Sequence, residues 1–578
     1  MKKILAIVLS LAMVVALAAC GSSTTSTETT KTEEKATTAA AAAEATTAAG
    51  EELIQNETAE EADVVYPEIN VINKDSVLSL YPWTSQVAAC LCEVYEKLYD
   101  YDDYSGDVCA VLADASYDGN FLPGCDHEEG TGVYTVHIWD DIYDHAGNHL
   151  TADDVKFSWD FVAGNKTEGI DPHVDSNKGA RAYYQGCKVF DETTIEFTFS
   201  QELTGLREFD DCFADFFVMT EAGFGGTTEE EGQANLSLAE CGTGPYTLVE
   251  FTSGSVFSVK AYEDYWAKDH EQKCKLQWQN VEVINYLTLD DKAQQVTALE
   301  TGDVDIIQDI AVDYLPLFQD GGEYADNFNV ITYMQGGQIT VSPNNSTGLM
   351  ANQDLRLALF YATDNEAFVA AMGGEAYGIA CTSLFGAGQP DKLAKWDEAE
   401  NYNTVYDADL AKEYMTKAGY NGEKLVLCCQ QSLGDAAQLL QTMWTAVGFN
   451  IELDICDQST YNEHHNDAEA WDVCIANSAG YCGAVQVSRW AGISNATGLV
   501  SGDRVDNAEW VALMTKMNTL EGHNEETIDA WMQMAFDNAY DMGLATTYIN
   551  NVANKCITSI CRNGKNSFIP GGFTYTLD

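Results

Sequence analysis

The stretch GNHLTADDVKFSW at residues 147–159 restricts the fold more than any other part of the chain. Thr151 is a residue type that caps helices, and Asp154 stands three positions later, which is the spacing of a capping box. Val155 and Trp159 then recur at helical spacing and give the segment an apolar side. The sequence therefore predicts a helix that begins after Thr151 and packs one face against a hydrophobic core.

Strand patterns lie on both sides of this helix, because residues 133–138 and 193–199 alternate apolar and polar side chains. A second helix is expected over 85–98. From about residue 290 helices dominate, with strands between them. The clearest helices are 291–301, 353–363, 407–418 and 436–447, and the clearest strands are 424–428 and 450–453. Helices that alternate with strands indicate an α/β fold.

Composition limits what the chain can be. Its 578 residues are 46% hydrophobic, which is ample for buried cores and too much for a single one, so two or more domains are expected. Asp and Glu number 91 against 29 Lys and Arg, which gives a formal charge of −62. Because phosphate backbones and anionic lipid surfaces repel such a protein, nucleic-acid binding is excluded as its function.

The N-terminus has the form of an export signal. Two lysines precede an apolar run over residues 4–19, which is short for a membrane span. The run ends in LAACG at residues 17–21, which resembles the lipobox of bacterial lipoproteins and implies that Cys20 is acylated after cleavage. The alternative is an ordinary secretory signal followed by an unrelated cysteine. We predict a lipoprotein signal peptide over 1–20 and a lipid anchor on Cys20.

Residues 21–65 are almost entirely Thr, Ser, Ala, Glu and Lys. Without apolar periodicity such a segment cannot bury enough surface to fold. We interpret it as a disordered tether that holds a globular body away from the outer face of the cytoplasmic membrane. No later apolar run approaches the length of a membrane span, so we expect the body to be soluble and outside the cytoplasm.

Sixteen of the 17 cysteines remain when Cys20 is set aside. An even number in an exported chain favours disulfides. However, Cys428 and Cys429 are adjacent, and no C-x-x-C pair supports a zinc ribbon or a thioredoxin-like site. We therefore expect many of the cysteines to be small, buried, apolar side chains.

Five blocks of sequence, in this order, resemble the extracellular solute-binding proteins of peptide-type ABC importers, the oligopeptide-, dipeptide- and nickel-binding group called family 5. The similarity runs from about residue 68 to the C-terminus. The blocks are GNHLTADDVKFSW at 147–159, GTGPY at 242–246 with YEDYW at 262–266, ALETGDVD at 298–305, LRLALFYATD at 355–364, and the helix around 409–420. Each block also has a structural interpretation, such as a helix cap or a turn, so we expect the blocks to identify the fold and not to touch a ligand.

The resemblance implies an α/β fold with the two lobes of a periplasmic binding protein, a ligand cleft between them, and a hinge of two crossing segments. The crossings are expected near Tyr286–Leu289 and Ala545. The implied parts are lobe I at 66–287 with an extra subdomain at about 96–200, lobe II at 288–545, and a C-terminal return to lobe I at 546–578.

The same resemblance implies a binding protein and not an enzyme, with no cofactor. A ligand that touches both lobes only after they close stabilises the closed form, and the membrane permease recognises that form. We therefore expect a substrate-binding lipoprotein of an ABC importer that captures a peptide or peptide-like small solute. Its expected partners are this ligand, the permease subunits and the membrane through its lipid anchor, and the protein itself is expected to be a monomer.

By the layout of the family, three stretches line the cleft: the loop after the first strand, a strand end near residue 430, and the segment 477–483. The candidate ligand-binding residues are Tyr81, Trp83, Cys429, Gln430, Gly480, Tyr481, Cys482 and Arg489. Trp83 and Tyr481 can stack on a ligand or pack in the core, and we favour the core for Trp83 and the cleft for Tyr481.

Peptide-binding members of the family carry an Asp shortly after this last segment, and it pairs with the free amino group of the ligand. The matching position here is Ala484, and residues 485–487 offer no carboxylate either. Arg489 follows, and its guanidinium can hold a ligand carboxylate. A surface or interlobe salt bridge is an equally good interpretation of Arg489.

Two other functions need weighing. A secreted cell-surface hydrolase of the glycosidase type, acting on a polymer, is the enzyme alternative, but no G-x-S-x-G, H-E-x-x-H or P-loop string is present. The string Glu463-His464-His465 with Asp467 suggests a metal site, yet adjacent histidines point apart and a solvated loop is expected instead. We predict no metal site, while a metal chelate as ligand stays open because nickel-binding relatives share the implied fold.

Overall fold

The computed structural model describes residues 61–576, apart from 63–64, 74–75, 84–88, 102–107, 175–182, 204–208, 215, 236, 468, 480–482, 489–503, 520 and 563–567. All of the described residues fall within one compact unit. The predicted signal peptide and almost all of the predicted tether lie outside the described residues.

The described strands fall into one large sheet and three small ones. They are β1 Tyr66–Ile72, β2 Tyr99–Tyr101, β3 Val108–Ala110, β4 Cys125–His127, β5 Val133–His137, β6 Tyr184–Asp191, β7 Thr194–Phe199, β8 Tyr246–Thr252, β9 Val256–Ala261, β10 Val281–Leu287, β11 Ile306–Ile307, β12 Phe328–Met334, β13 Gly337–Pro343, β14 Gly378–Ala380, β15 Lys424–Gln430, β16 Asn450–Cys456, β17 Val473–Ala479, β18 Met542–Asn554, β19 Ile557–Arg562 and β20 Phe568–Tyr575.

The described helices concentrate in the second half of the chain. They are α1 Ala152–Ala163, α2 Glu221–Phe224, α3 Glu229–Ala234, α4 Lys292–Thr301, α5 Gln353–Tyr361, α6 Asn365–Met372, α7 Ala408–Ala418, α8 Gly434–Val447, α9 Gln458–Asn466, α10 Gly483–Ser488, α11 Ala508–Met517 and α12 Glu525–Asn538. None of the helices in the described parts of the chain has the length and apolar character needed to cross a membrane.

The large sheet has the strand order β16-β15-β17-β13-β18-β11-β1-β10-β9-β8, with β12 and β14 also paired to β18. Strand β18 connects its two halves. Residues 542–547 pair with β13 and β14, whereas residues 548–554 pair with β12 and β11. Strands β12 and β13 make the same passage, with only Gln335 and Gly336 between them. Two segments of chain therefore cross from one half of the sheet to the other.

Separate hydrophobic clusters fill the two halves. In the clusters around β1 and β10, the buried residues come from sequence positions up to Tyr333 and from Val552 onward. Those of the clusters around β13 and β15 lie between Ile339 and Ala545. The mixed α/β fold predicted from the sequence is thus confirmed, and it has one body of packed side chains on each side of the crossings.

The exact bounds of the two lobes stay a prediction. Strand pairing indicates where the chain crosses between the two halves of the sheet. The chain leaves β10 at Leu287, forms α4, and then returns to the same half of the sheet as β11 and β12. Pairing therefore favours a first crossing after Met334, later than the predicted position near Tyr286–Leu289. The second crossing, at Thr547–Tyr548 within β18, lies close to the predicted Ala545.

Two further parts pack on the half that contains β1. Strands β4, β5, β7 and β6 form a four-stranded antiparallel sheet in that order, within the range predicted for the extra subdomain. The β19–β20 hairpin returns to β1, where the rings of Tyr66 and Tyr575 lie 4.9 Å apart. The amide of Asn280 also donates to the Phe573 carbonyl at 3.2 Å.

The helix predicted from residues 147–159 is confirmed. Helix α1 begins at Ala152, and the Thr151 backbone N–H donates to the Asp154 carboxylate at 2.8 Å, as a capping box requires. The helix predicted over 85–98 is wrong, since its described part contains only a 3₁₀ turn at Ala89–Glu93. After that turn the Val94 carbonyl accepts the Gly244 N–H at 2.9 Å, so contacts with distant segments replace helical hydrogen bonds.

Fourteen cysteines of the described residues are free thiols, and most of them are buried. Cys212, Cys241 and Cys381, for example, have at most 2% of their surface exposed. This agrees with the expectation that many cysteines act as small apolar side chains.

Candidate functional site

Three uncharged polar side chains meet where the chain crosses between the halves of the sheet. The Gln335 Oε1 atom accepts a hydrogen bond from Asn477 Nδ2 at 3.2 Å and another from the Thr547 hydroxyl. The Gln335 N–H also donates to the Thr547 carbonyl at 2.9 Å. Asn477 is exposed, and Gln335 and Thr547 are partly exposed. Amide and hydroxyl groups open to solvent thus lie at the junction of both crossing segments, which we call the crossing cluster.

A buried glutamine fixes the backbone beside this cluster. The Gln389 side-chain amide donates to the Gly336 carbonyl at 2.8 Å, and its Oε1 accepts the Gly386 N–H at 2.8 Å. Gln389 Nε2 also contacts Gln486 Oε1, which places α10 next to the first crossing. Because these groups are almost completely buried, their hydrogen bonds hold the Gln335–Gly336 link in a defined position.

The other crossing is held by backbone contacts with residues 376–378. The Tyr548 N–H donates to the Tyr377 carbonyl at 2.8 Å, and Asn550 Nδ2 donates to the Ala376 carbonyl at 2.8 Å. A Cβ atom on Gly378 would lie 2.2 Å from the Thr546 carbonyl oxygen, so only glycine allows this close approach. Hydrogen bonds to neighbouring segments therefore fix the position of both crossing segments.

The structure places Tyr81 and Trp83 in the interior, each with 1% of its surface exposed. The Trp83 indole N–H donates to the Phe217 carbonyl at 2.9 Å, and its ring lies 5.2 Å from Phe161 and 5.5 Å from Phe224. Burial raises the pKa of the Tyr81 hydroxyl. In this conformation both side chains pack in an aromatic cluster, so their contact with a ligand stays a prediction.

Cys429 and Gln430 end strand β15 in different surroundings. Cys429 is completely buried among the apolar side chains of the cluster around β13. Gln430 is the last residue of the strand and is partly exposed. The neighbouring strand β17 is parallel to β15, so Gln430 and Asn477 lie toward the same end of the sheet. Of this predicted pair, Gln430 has the position that suits a ligand contact.

The position where peptide-binding relatives carry an Asp is Ala484, which is completely buried at the start of α10. A carboxylate from elsewhere reaches this point, because Asp391 accepts the N–H groups of Gly483 at 2.6 Å and of Ala484 at 2.9 Å. Burial raises the pKa of Asp391. Since its oxygens already bind the start of α10, Asp391 does not offer the carboxylate that Ala484 lacks.

The remaining predicted positions lie outside the described residues. They are Gly480, Tyr481, Cys482, Arg489 and the lipidation site Cys20. Sequence reasoning missed Gln335, Thr547 and Gln389, while Asn477 lay in a stretch that it singled out. The one signal for Gln335 is that this polar residue interrupts two apolar strands, β12 and β13.

The sequence of this chain is similar to a known family of proteins and to individual members with known names. The model described as bacterial extracellular solute-binding proteins, family 5 Middle, matches residues 112–488. Heme-binding protein A of Haemophilus influenzae is 23% identical over 406 residues, which cover 65% of this chain and 67% of that protein. A probable peptide ABC transporter periplasmic-binding protein of Sinorhizobium fredii is 24% identical over 377 residues, which cover 60% of this chain and 67% of that protein.

Solved structures agree on the fold. The crystal structure of NikA from Brucella suis in complex with Fe(III)-EDTA superposes with a TM-score of 0.70 at 17% identity, and it covers 88% of this chain and 100% of that one. At this level of identity the likeness establishes the architecture, and the ligand has to be argued from the residues of this chain.

Proposed function

Because the chain belongs to the bacterial extracellular solute-binding proteins of family 5, we propose that it captures a peptide or peptide-like small solute by closure of its two lobes. It then delivers the solute to the permease of an ABC importer. The family is one of binding proteins, so the chain is a substrate-binding protein and not an enzyme. The hydrolase considered from the sequence is therefore wrong.

The observation that carries the ligand class is the crossing cluster. Gln335, Asn477 and Thr547 supply amide and hydroxyl groups, which pair with the N–H and C=O groups of a peptide-like solute. Gln430 adds another amide at the end of β15. A polar, uncharged site of this kind suits a ligand whose own hydrogen-bonding groups are amides, as in the peptide transporter relative from Sinorhizobium fredii.

The missing carboxylate at Ala484 sharpens this proposal. With Asp391 engaged by two backbone N–H groups, the described residues at the start of α10 offer no free acid to pair with an amino terminus. We infer that the free amino group contributes little to affinity here. Tyr481 and Arg489, with Gly480 and Cys482 between the strand end and α10, are proposed to complete the site, with Arg489 holding a ligand carboxylate.

We propose a supporting role, without direct ligand contact, for three of the predicted residues, Tyr81, Trp83 and Cys429. All three are buried, so they shape the loop after β1 and the end of β15. Closure of the lobes would bend the two crossing segments, while the separate hydrophobic clusters on each side stay intact.

For localisation we propose the lipid anchor on Cys20 and a tether over 21–65. A lipidated chain stays with membranes on cell fractionation, whereas a Cys20→Ala variant should appear in the medium. Recovery of the unaltered protein in the medium would contradict the anchor and leave the solute-binding proposal untouched.

The ligand class is tested by a thermal-shift screen of the purified protein against short peptides, their N-acetylated forms, amino-acid derivatives, sugars, heme and metal chelates. We expect saturable stabilisation by peptides without turnover, because a ligand that binds only the folded state raises its melting temperature. N-acetylation should change the dissociation constant by less than about tenfold, since the position that carries an Asp in peptide-binding relatives is Ala484 here.

A matched pair of variants locates the site. Asn477→Ala should weaken peptide binding about tenfold, the loss of roughly one hydrogen bond. Asn421→Ala, at an exposed position before the opposite end of β15, should leave binding unchanged. Stabilisation by heme or a chelate without any response to peptides would overturn the ligand class, and release of a product would overturn the binding function.

A further inference from the structure

Four side chains with metal-binding groups converge at the outer corner of the sheet formed by β15, β16 and α9. Cys428 of β15 lies directly opposite Asp454 of the parallel strand β16. Cys456 stands two positions after Asp454 and therefore points to the same face of the sheet. Helix α9 follows β16 and brings His464 back over that face. Residues separated by up to 36 positions in sequence thus meet at one point.

The ligand atoms of this group are close together. One ligand atom each from Cys428, Asp454, Cys456 and His464 lies within 4.8 Å of the other three. His464 Nδ1 is 2.6 Å from an Asp454 carboxylate oxygen and 3.5 Å from the Cys456 sulfur. The Cys456 sulfur is 3.2 Å from the other Asp454 oxygen. Tetrahedral zinc, with bonds of about 2.0–2.3 Å, holds its ligand atoms roughly 3.3–3.8 Å apart.

We propose that Cys428, Cys456, His464 and Asp454 form a binding site for a tetrahedral divalent metal ion of the zinc class. Two thiolates, one imidazole nitrogen and one carboxylate oxygen are ligands that zinc takes in proteins. Four protein ligands complete the tetrahedron and leave no open position, which is typical of a structural and not a catalytic site. The site goes beyond the proposed solute-binding function, and the ion is a resident of the fold and not its cargo.

Burial and exposure of the four groups suit this role. Cys428 and Cys456 are buried, while the side chains of Asp454 and His464 are 25% and 37% exposed, which gives an ion a path from solvent. Zinc would displace the thiol protons, and its binding should weaken as the pH falls.

Neighbouring rings hold α9 in place beside the site. The ring of His465, the next residue after His464, stacks on Trp471 at 5.6 Å with an angle of 1° between the planes, and it stacks on Tyr461 at 5.4 Å. The adjacent histidines therefore point apart, as expected from the sequence. The predicted solvated loop is a helix instead, and His464 faces the two strands that carry the other three groups.

Cobalt and zinc binding test the site directly. We expect the reduced protein to take up one equivalent of Co²⁺, with intense visible d–d bands and a near-ultraviolet thiolate-to-cobalt band, and Zn²⁺ to displace it. Cys428→Ala, Cys456→Ala and His464→Gln should each weaken zinc binding at least tenfold. Cys429→Ala, which removes an equally buried thiol from the opposite face of β15, should leave it unchanged.

The His464→Gln substitution tests the site without disturbing folding, because His464 is partly exposed and its replacement leaves the core of the sheet intact. Absence of a saturable cobalt spectrum, or zinc binding that survives both cysteine substitutions, overturns the proposal. A disulfide between Cys428 and Cys456 in protein prepared with zinc also overturns it. Solute binding is measured on the same samples. His464→Gln should retain it, so failure of the metal site and failure of the proposed function give different results.

Discussion

At the scale of single residues, the buried carboxylate of Glu96 joins the GTGPY and YEDYW blocks of the sequence. Glu96 is 4% exposed and accepts hydrogen bonds from the Tyr265 hydroxyl at 2.6 Å, the Trp266 indole at 2.9 Å and Gln277 at 3.3 Å. Trp266 also reaches the Thr243 carbonyl at 3.1 Å. The YEDYW and GTGPY blocks thus surround a buried acid, which agrees with a structural and not a ligand-binding role for them.

This acid makes stability depend on pH. Burial raises the pKa of Glu96 from 4.5 to about 7, against the lowering effect of its hydrogen bonds. The folded state therefore keeps a proton that the unfolded chain loses, and the stabilisation present below pH 4.5 is lost as the pH rises through about 7. Between these limits the wild type should lose on the order of 3 kcal/mol relative to Glu96→Gln.

The measurement is the melting temperature and denaturant midpoint of both proteins from pH 4.5 to 8. All other groups are common to the two proteins, so the difference between the profiles isolates Glu96. Parallel profiles would show that this carboxylate does not change its protonation on folding, and would contradict the prediction.

The glycines of GTGPY have an equally local reason. A Cβ atom on Gly242 would lie 2.1 Å from the Val94 carbonyl oxygen, and one on Gly244 would lie 2.4 Å from the Glu93 carbonyl oxygen. Only glycine lets these two backbones approach so closely. The motif could be recognised in the sequence, but the segment it packs against, some 150 residues earlier, could not.

At the scale of elements, Arg356 of the LRLALFYATD block joins α5 to the end of α12. Its guanidinium donates to the carbonyls of Asn538, Ala539 and Met350, each at 2.8 Å. The first two carbonyls end α12, where a positive charge is stabilising, and Met350 lies in the turn before α5. Burial lowers the pKa of Arg356 to about 10, which still leaves the group charged at neutral pH.

We predict that Arg356→Lys destabilises the protein by roughly 2–4 kcal/mol, because one ammonium cannot reach carbonyls that the planar guanidinium bonds in three directions. Denaturant unfolding measures the loss. Lys417→Ala is the control, since it breaks an exposed ion pair with Asp354 on the same α5 and should leave the midpoint nearly unchanged. Equal effects of the two substitutions would contradict the role assigned to Arg356.

Elements with local signals could be predicted from the sequence. The cap at Thr151 and Asp154 placed α1 correctly, because its hydrogen bonds lie within four residues. The segment 85–98 has a helical pattern, yet its carbonyls accept from Gly244 and Val218. In its described part, residues 89–98, contacts at a separation of more than 100 residues replace helical hydrogen bonds, and no local sequence pattern indicates such contacts.

In the candidate site, too, positions with local sequence signals could be predicted and positions set by distant contacts could not. The strand over 424–428 could be predicted from its apolar residues, and Gln430, placed at a strand end by the layout of the family, is the last residue of β15. The core position favoured for Trp83 had no local signal behind it, because its indole N–H partner, the Phe217 carbonyl, lies 134 positions away. Gln335 and Thr547 meet only because two segments of chain cross between the two halves of the large sheet. Their pairing depends on the topology of the whole sheet, which sequence patterns do not contain.

At the scale of the whole molecule, the described residues form buried clusters on each side of the crossings, and the two packed bodies share one sheet. Trp159 is completely buried in the body around β1, where its ring stacks on Phe216 at 4.4 Å. Trp444 is completely buried in the body around β13, where its indole donates to the Thr363 hydroxyl at 2.8 Å. Because β18 runs through both bodies, backbone hydrogen bonds connect them, while the buried residues of each hydrophobic cluster in the described part of the chain come from one side of the crossings.

We predict that the two bodies melt as distinguishable transitions in differential scanning calorimetry. Trp444→Phe should lower one transition by several degrees and Trp159→Phe the other, since each removes about 1–3 kcal/mol of packing from one core. A solute identified in the screen should raise both transitions together, because it binds only when both bodies are folded and closed. A single transition that both substitutions lower equally would mean one cooperative unit, and closure about the crossings would then need bending within a shared core.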